Sequence, residues 1–477
     1  MAVSDDATSV VASAPSTVHR GRLHRSLRVL GTILITLSAI TPASSVFIIV
    51  PGVIGQAGSG ALWSFIAAAV VGVFMAFVYA ELSSAFPFTG GEYSIVGRAL
   101  GRLPGFLVLG LMLVTQLFII AVIALGVGIY LAVLFPNLHA PTVAAVTVLL
   151  AVLVGVLDIK LNAVVTGVFL AIEMLALVVL SGLGFLHTER SVGDLLAHPM
   201  VLGADGSALV PAAVGLIGAA TAVAIFSYNG YGSAVYFGEE TRDARRSIAK
   251  AILWALVITV AAEMIPLIAV LMGAPSLSDL LGSDNMMEYF ITARGGDTLN
   301  TVLSLGIVVA IVNAVIAILL ITSRMVFSTG RDNAWPASVS RGLASISPRF
   351  GTPWVATVLT GIFAAAMCYV PEKTLFVLTG TALVVVYAAL ALSVIQGRRN
   401  HSTDSGTYKM PLYPLPPVLA LIALGYVAYQ SAKDPVIGRP SLIVTVVIIV
   451  VSAAYYLGVL RRKGTWVLHG STEDSTQ

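Results

Sequence analysis

The stretch SAITPASSVF, residues 38–47, interrupts the middle of an apolar run that extends over about residues 29–55. Thr followed by Pro is a helix-start signal, which makes Thr41 an N-cap and Pro42 the first helical residue. A start signal in the middle of an apolar run predicts two half-helices that meet there. The alternative is one helix kinked at the proline, in which hydroxyl side chains satisfy the freed backbone groups. In the first case, the N–H groups directed toward an anion are those of Ala43, Ser44 and Ser45.

The chain around this stretch is strongly apolar. Of its 477 residues, 58% are hydrophobic and 10% are charged, whereas soluble domains carry about 25% charged residues. This composition excludes a soluble enzyme and a disordered chain, and it predicts an all-α integral membrane protein. The single cysteine, Cys368, excludes an intramolecular disulfide.

Apolar runs of about 20 residues indicate twelve membrane-spanning helices, because a helix of that length crosses the hydrocarbon core. The first six runs, called spans 1 to 6, lie near residues 29–55, 61–86, 105–135, 141–157, 162–186 and 211–237. Spans 7 to 12 lie near residues 251–273, 300–323, 354–370, 375–395, 415–431 and 441–459.

The basic residues fit twelve spans with both chain ends in the cytoplasm. Cytoplasmic loops carry an excess of Lys and Arg, and an even number of spans places both ends on one side. With the N-terminus inside, 21 of the 26 basic residues fall on the inner side. The five on the outer side are Arg190, Arg294, Lys373, Lys433 and Arg439. We therefore expect a multi-pass protein of the cytoplasmic (inner) membrane, in contact with the lipid bilayer, with cytoplasmic tails at residues 1–28 and 460–477.

A second weak point lies in span 6, at FSYNGYGS, residues 226–233. Two glycines, an asparagine and two serines within eight residues destabilise a helix locally. Close packing of small residues against a neighbouring helix is the alternative explanation. Spans 1 and 6 are each the first of five, however. Interrupted helices at matching positions of two halves indicate the binding site of an inverted-repeat transporter.

Three carboxylates lie within the spans, at Glu81, Glu173 and Glu263. An acid at mid-membrane costs at least about 2.5–3.5 kcal/mol, so it requires a partner or a proton. Glu81 is near the inner end of span 2 and is expected to organise the neighbouring helix ends, whereas the other two lie at mid-span. Two further acids, Glu239 and Glu240, are expected to face basic residues of their own loop, namely Arg242, Arg245 and Arg246.

Four further motifs follow one another along the chain. They are YAEL with FPFTGGEY (79–93), GEETRDARRSI (238–248), SRM with RDNAWP (323–336) and YKMPLYP (408–414). Together they resemble the signatures of the amino acid–polyamine–organocation (APC) superfamily of transporters, in particular those of bacterial amino acid permeases. Each motif alone is modest, but all four occur in the family's order within about residues 29–459.

The resemblance implies a five-plus-five inverted repeat, the LeuT-like fold, with spans 1–5 and 6–10 forming a transport core at residues 29–395. Spans 11 and 12, with the preceding loop, would be appended at residues 396–459. The substrate would lie at the breaks of spans 1 and 6. The substrate-binding residues that the resemblance implies are Thr41, Ala43, Ser44, Ser45, Phe226, Tyr228, Asn229 and Gly230.

The resemblance also implies a role for each chemical group. The N–H groups around Ser44 and Ser45 would hold a substrate carboxylate, and Phe226 would be an aromatic lid over the outer path. The carbonyls that would accept from a substrate ammonium belong to Thr41, Phe226 and Asn229. Apart from the resemblance, the mid-span polar residues Gln116 and Asn313 could contact a substrate side chain, but hydrogen bonds between helices are the favoured explanation for each. Tyr228 and Tyr231 could line this side-chain pocket or fill space between helices.

Three positions depart from the family pattern. Ala43 and Ser45 replace two glycines of span 1, which stiffens that loop. Gly232 stands where an acid is usual in span 6. Glu173 stands where proton-coupled members often place a Lys that substitutes for a sodium ion, so the local charge is reversed.

Three roles in transport are open for Glu173, and the alternative is a purely structural role. It could carry a proton, coordinate Na⁺ with Thr322 and Ser323, or pair with the amine of a cationic substrate. In the purely structural role, the acid is protonated and hydrogen-bonded between helices. That role is favoured for Glu263, because span 7 does not line the site in this family.

The sequence thus predicts a secondary active transporter that imports an amino acid by alternating access, coupled to protons rather than sodium. The alternatives are an amino acid or amine exchanger, or a carrier of a cationic amine such as a polyamine or ethanolamine. All seven histidines fall outside the spans and no phosphate-binding loop occurs, so neither a metalloenzyme nor a primary pump is expected. No cofactor, metal or nucleic acid is expected.

Overall fold

The computed structural model describes residues 23, 25–132, 135, 137–203, 206, 208–379 and 381–468. Most of the predicted N-terminal tail, including Arg20 and Arg22, lies outside the described residues, as does the end of the C-terminal tail from residue 469 onward. The described part is almost entirely helical, as the composition predicts.

The helices of the first half are α1 Val29–Ile40, α2 Pro42–Ser44, α3 Val50–Ala57, α4 Ala61–Ala85, α5 Glu92–Ala99, α6 Arg102–Ala132, α7 Ala140–Gly155, α8 Ile159–Leu186, α9 Val192–Ala197 and α10 Val214–Ser227. Those of the second half are α11 Ala244–Gly273, α12 Leu277–Gly282, α13 Met286–Arg331, α14 Ala337–Leu343, α15 Trp354–Met367, α16 Glu372–Thr379, α17 Ala382–Arg399, α18 Leu415–Lys433, α19 Gly438–Tyr455 and α20 Arg461–Lys463. Of these, α13 consists of two helices that meet at a kink at Gly296 (φ 78°, ψ 172°). Two π-helical turns, Ser45–Ile49 and Tyr456–Leu460, and two 3₁₀ segments, Gly58–Gly60 and Tyr231–Phe237, connect some of them. The strands β1 Met200–Leu202 and β2 Leu209–Pro211 form one small antiparallel hairpin.

Nine helical stretches within the described residues are long and apolar enough to cross a membrane. The first of them, Val29–Ala85, contains both span 1 and span 2, and two shorter apolar helices, α7 and α15, coincide with spans 4 and 9. Every predicted span therefore overlaps an apolar helix. The multi-pass helical character is confirmed, whereas the number of twelve crossings and the repeat symmetry stay predictions.

Helix α8 shows how the apolar pattern orients a span. The side chains of Val164, Val168, Leu175 and Val178 are exposed, and their spacing places them along one face of the helix. Exposed apolar side chains on a membrane helix are suited to contact lipid. Glu173 lies on the opposite side, fully buried, where α8 packs against α1, α11 and α13.

The two described chain ends lie at the same end of the molecule. Near the N-terminus, the amide of Leu27 donates to the carbonyl of Glu240 at 2.9 Å. Near the C-terminus, the amide of Val467 donates to the carbonyl of Asp332 at 3.1 Å. These two regions are joined by an ion pair between Arg331 and Glu239. We call this the terminal end, and the end that carries Glu189 and Arg294 the distal end.

Candidate functional site

The interruption predicted in span 1 is present at Thr41. Helix α1 ends at Ile40, Thr41 adopts the left-handed conformation with φ 51° and ψ 70°, and α2 begins at Pro42. The Thr41 hydroxyl does not cap an amide. Its Oγ1 lies 2.9 Å from Ser44 Oγ and 3.1 Å from Glu173 Oε1. The break is therefore real, but the threonine hydroxyl faces the carboxylate of another helix.

Glu173 occupies the start of the second half-helix. The amide of Ala43 donates to Glu173 Oε1 at 2.9 Å, and the amide of Ser45 donates to the Thr41 carbonyl at 3.1 Å. Two of the three N–H groups predicted to face an anion are thus engaged within the protein. Helix geometry leaves the third, on Ser44, without an acceptor in its own half-helix.

The second oxygen of Glu173 is not engaged in the same way. The amide of Asn313 faces the carboxylate. Within the described part of the chain, however, Glu173 Oε2 and both polar atoms of the Asn313 amide form no hydrogen bond that meets standard geometry. A buried carboxylate with one free acceptor position is suited to take up a proton.

The interruption predicted in span 6 is also present. Helix α10 ends at Ser227, and a turn at Tyr228–Gly230 leads into the 3₁₀ segment. Gly230 has φ 118°, and a Cβ atom there would lie 2.8 Å from the side chain of Ile40. Only glycine fits this backbone conformation and this close approach. Gly230 therefore brings the break of span 6 against the end of α1.

Glu263 ties the two breaks together from α11. Ser227 donates to Glu263 Oε2 at 2.5 Å, and the Ser45 hydroxyl donates to the Ser227 carbonyl at 3.3 Å. The sequence favoured a hydrogen bond between helices for this acid, and one is observed. Its partner Ser227 is the last helical residue before the break, so Glu263 contacts the break of span 6 from a neighbouring helix, although no residue of α11 is among the described residues that line the central cavity.

A cavity of about 490 Å³ lies between the two breaks. Seven of the predicted binding residues line it, namely Thr41, Ser44, Ser45, Gln116, Phe226, Asn229 and Gly230. The other predicted residues, Ala43, Glu173, Tyr228, Tyr231 and Asn313, are not among its lining residues. The ring of Phe226, predicted as a lid, is 43% exposed, so it does not close the cavity here. The roles of all these residues in binding stay predictions.

Two of the residues outside the cavity pack behind its wall. Tyr228 lies edge-on against Phe65, with ring centroids 5.5 Å apart. Tyr231 lies edge-on against Tyr79 at 6.0 Å. Both rings are buried, so they fill space between helices, which is one of the two explanations that the sequence left open for Tyr231.

Sequence reasoning missed an acidic and aromatic cluster in the cavity wall. Glu92, Tyr79, Tyr236 and Tyr387 all line the cavity. Glu92 belongs to the FPFTGGEY motif, and its position beside a span end was the available signal. Asp284 and Glu372, both exposed, line the cavity toward the distal end. All charged side chains among the described lining residues are therefore acidic.

Ion pairs, one of them fully buried, join the helices at the terminal end. Arg324 binds Glu240 through two hydrogen bonds of 2.8 and 2.9 Å, and both side chains are fully buried. Arg331 binds Glu239 at 2.5 Å. The expectation that Glu239 and Glu240 face arginines of their own loop is wrong, because both pair with α13.

A third ion pair connects span 2 to α17. Arg398 binds Glu81 through two contacts of 2.7 Å, and the amide of Met410 donates to the same carboxylate at 2.8 Å. The prediction that Glu81 organises neighbouring helix ends is confirmed. The three pairs join α4, α13, α17 and the segment after span 6 at the terminal end, while the cavity extends toward the distal end.

A central cavity between two interrupted helices is typical of a multi-pass helical transport protein. The sequence model of a family described as "Amino acid permease" matches residues 27–453. The chain therefore belongs to the amino acid permease family. Its relatives are permeases and transporters, and it is not an enzyme.

Individual relatives differ in what they carry. The chain is 25% identical to the methylthioribose transporter of Bacillus subtilis (strain 168), over 78% of this chain and 81% of the relative. It is 21% identical to the branched-chain amino acid permease BcaP of the same organism, over 84% and 86%. It is 23% identical to the serine/threonine exchanger SteT of that organism, over 84% and 88%.

Proposed function

We propose that the protein imports an amino acid across the cytoplasmic membrane by alternating access, and that a proton carried by Glu173 drives the uptake. The observation that carries this proposal is the hydrogen bond from the Ala43 amide to the Glu173 carboxylate. It joins a membrane-buried acid directly to the break in span 1. The twelve-span, inverted-repeat architecture with cytoplasmic ends is part of the same proposal.

The charge state of Glu173 controls the geometry at the break. An ionised carboxylate is stabilised by the Ala43 amide and by the positive end of the half-helix. Within the described part of the chain, no Lys or Arg forms an ion pair with Glu173. A proton on the acid weakens the bond to Ala43 because a neutral carboxyl group is a poorer acceptor. Proton binding therefore loosens the joint between α8 and the second half-helix.

The substrate is proposed to lie between the breaks. Its carboxylate would bind the Ser44 amide with the hydroxyls of Ser44 and Ser45, and its ammonium would bind carbonyls of the breaks. The Phe226 carbonyl already accepts the Asn229 amide at 3.0 Å, but a carbonyl has a second lone pair. Gln116 would contact the substrate side chain. The exposed ring of Phe226 would close over the substrate once it has bound.

Sodium is less well supported than the proton. The proposed sodium ligands Thr322 and Ser323 donate to carbonyls of their own helix, at 2.8 and 2.9 Å. The described hydrogen-bond neighbours of Glu173 are instead Thr41 and Ala43. These contacts favour an acid that takes up and releases a proton at the break of span 1 over an acid that completes an ion site.

An exchanger is the second candidate function. A relative over most of this chain is named a serine/threonine exchanger. Exchange also requires a cavity that opens alternately to the two sides of the membrane. It does not require the release of a proton in each cycle. The distinction therefore concerns what drives the return step and not where the substrate binds.

Purified protein in liposomes separates these possibilities. Uptake of a panel of labelled amino acids and amines is measured with an inward pH gradient, an inward Na⁺ gradient, or neither. We expect accumulation with the pH gradient alone, and a membrane potential of 100 mV contributes about 2.3 kcal/mol for each charge moved. Uptake that needs only internal substrate would establish exchange. The absence of uptake of every amino acid and amine, under all three conditions, would overturn the proposal. Liposomes without protein are the control.

A further inference from the structure

Glu92 lies in the wall of the cavity as a buried acid held by tyrosines. Its side chain is 4% exposed. Tyr79 donates to Oε1 at 3.0 Å, and Tyr236 donates to Oε2. Each carboxylate oxygen thus accepts one phenolic hydroxyl and keeps a lone pair for another donor.

Glu92 has no basic partner among the described residues. The ion pairs of the described part of the chain involve other acids, namely Glu189, Glu239, Glu240, Glu81, Asp332, Asp194 and Asp404. In the described part of the chain, its carboxylate accepts hydrogen bonds from the hydroxyl groups of Tyr79 and Tyr236. A buried charge without a partner is strongly unfavourable. The site is therefore suited to a positive charge that arrives through the cavity.

The aromatic rings around Glu92 suit the same ligand. Tyr79 and Tyr387 pack edge to face with centroids 5.8 Å apart, and Tyr387 donates to Asn229 Oδ1 at the break of span 6. Tyrosine faces attract ammonium and guanidinium groups. Asn229, Tyr387, Tyr79 and Glu92 thus form a continuous wall from the proposed backbone site to the acid.

Glycine at position 232 leaves space for the ring of Tyr79 in this cluster. A Cβ atom at Gly232 would lie 2.5 Å from the ring of Tyr79. Any larger residue at this position would displace the ring that holds Glu92. The absence of a side chain at Gly232 is therefore required for the acid and the rings to meet in the cavity wall.

The mouth of the cavity is acidic as well. Asp284 and Glu372 line it at the distal end, and no Lys or Arg is among the described lining residues. A cleft whose charges share one sign concentrates ions of the opposite sign. The charges of the described lining residues therefore favour the entry of a cationic group.

We propose that Glu92, with Tyr79, Tyr236 and Tyr387, binds the positively charged end of the substrate, so that the transported molecule carries a cationic group in addition to its backbone ammonium. This inference rests on the proposed function, because it assumes that the cavity is the transport site. It adds the class of substrate, an amino acid or amine with a distal ammonium or guanidinium group.

Lysine and norleucine test the inference because they differ only by the terminal ammonium group. Competition by each against uptake of labelled lysine is measured in liposomes containing the purified protein. We expect lysine to compete at a concentration at least about tenfold lower than norleucine, and Glu92→Gln to reduce this ratio by about tenfold or more. The control variant Glu189→Gln, in the exposed pair at the distal end, is expected to keep the wild-type ratio.

The outcomes separate this inference from the proposed function. Equal competition by both compounds in the wild-type protein, or an unchanged ratio in Glu92→Gln, overturns the cation site and leaves the transporter in place. The absence of transport for every amino acid and amine overturns the proposed function itself. Should Glu92→Gln not fold, Glu92→Asp, which keeps the charge, is expected to keep a preference for lysine. Loss of that preference in a folded Glu92→Asp protein counts against the inference.

Discussion

The amide of Ala43 donates a 2.9 Å hydrogen bond to Oε1 of Glu173 across the break in span 1. The two residues are 130 positions apart and belong to different helices. The carboxylate takes the position at which a helix N-terminus attracts an anion. The protein therefore supplies its own anion to part of the site at which a substrate carboxylate is expected.

Replacement of Glu173 by Gln tests whether this acid carries the proton. Glutamine keeps the size of the side chain and an oxygen that accepts from the Ala43 amide, but it cannot release a proton. We expect Glu173→Gln to lose uptake driven by a pH gradient and to keep exchange between internal and external substrate. Uptake under an imposed gradient and exchange at equal pH measure the two activities.

Unchanged gradient-driven uptake in Glu173→Gln would return this acid to a purely structural role. Glu288→Gln is a suitable control, because Glu288 is exposed at the start of α13, outside the cavity and the breaks. It is expected to behave like the wild-type protein in both assays.

The contact between Gly230 and Ile40 predicts a second result. At φ 118° an alanine is strained, and its Cβ would lie 2.8 Å from the Ile40 side chain. Backbone strain of this kind costs about 1–3 kcal/mol. We expect Gly230→Ala to lower the melting temperature in detergent and to reduce uptake strongly. The control is Gly215→Ala in α10, the helix that precedes this turn, where a Cβ meets nothing within 4 Å. Equal behaviour of the two variants would show that the close approach at Gly230 is unimportant.

The two interruptions could be predicted because their signals are local. Thr-Pro starts a helix and glycine supplies a positive φ, whatever the rest of the chain does. The partners of the acids could not be predicted in the same way. Glu240 pairs with Arg324, 84 residues away, and not with the arginines that follow it in its loop. Such pairs depend on which helices pack together, and apolar periodicity does not report this.

The cavity wall shows the same limit. The sequence shows Glu92 as an acid beside the end of span 2. Its contact with Tyr236, 144 residues away, depends on the path of the 3₁₀ segment after the second break. Likewise, the sequence predicted that Ala43 faces the substrate, whereas its amide is engaged by Glu173. Local signals therefore predicted the two breaks, and packing over long distances decided which groups lie at the cavity between them.

The buried pair of Arg324 and Glu240 predicts a third result. Removal of one partner leaves an uncompensated buried charge, which costs about 3–5 kcal/mol. We expect Arg324→Met to destabilise the protein strongly and the double variant Arg324→Met/Glu240→Gln to recover part of the loss. Melting temperatures of the purified proteins in one detergent provide the measurement. The control is Glu189→Gln, which weakens the pair with Arg294 at the distal end through its exposed partner and leaves the bond from Arg294 to the Gly273 carbonyl in place; exposed pairs contribute about 0–1 kcal/mol. A double variant that is less stable than Arg324→Met would argue against the pair.

The orientation of the chain can be tested with single cysteines. Cys368 is the only cysteine of the sequence, so Cys368→Ser gives a background free of cysteine. Its side chain is 1% exposed. Asp194→Cys lies in α9 at the distal end, and His401→Cys lies in the loop between spans 10 and 11 at the terminal end; both positions are exposed. With cytoplasmic chain ends, a membrane-impermeant maleimide is expected to label Asp194→Cys in intact cells, and His401→Cys only after permeabilisation. The reverse pattern would invert the proposed orientation, and labelling of both positions in intact cells would contradict the proposal that they lie on opposite sides of the membrane.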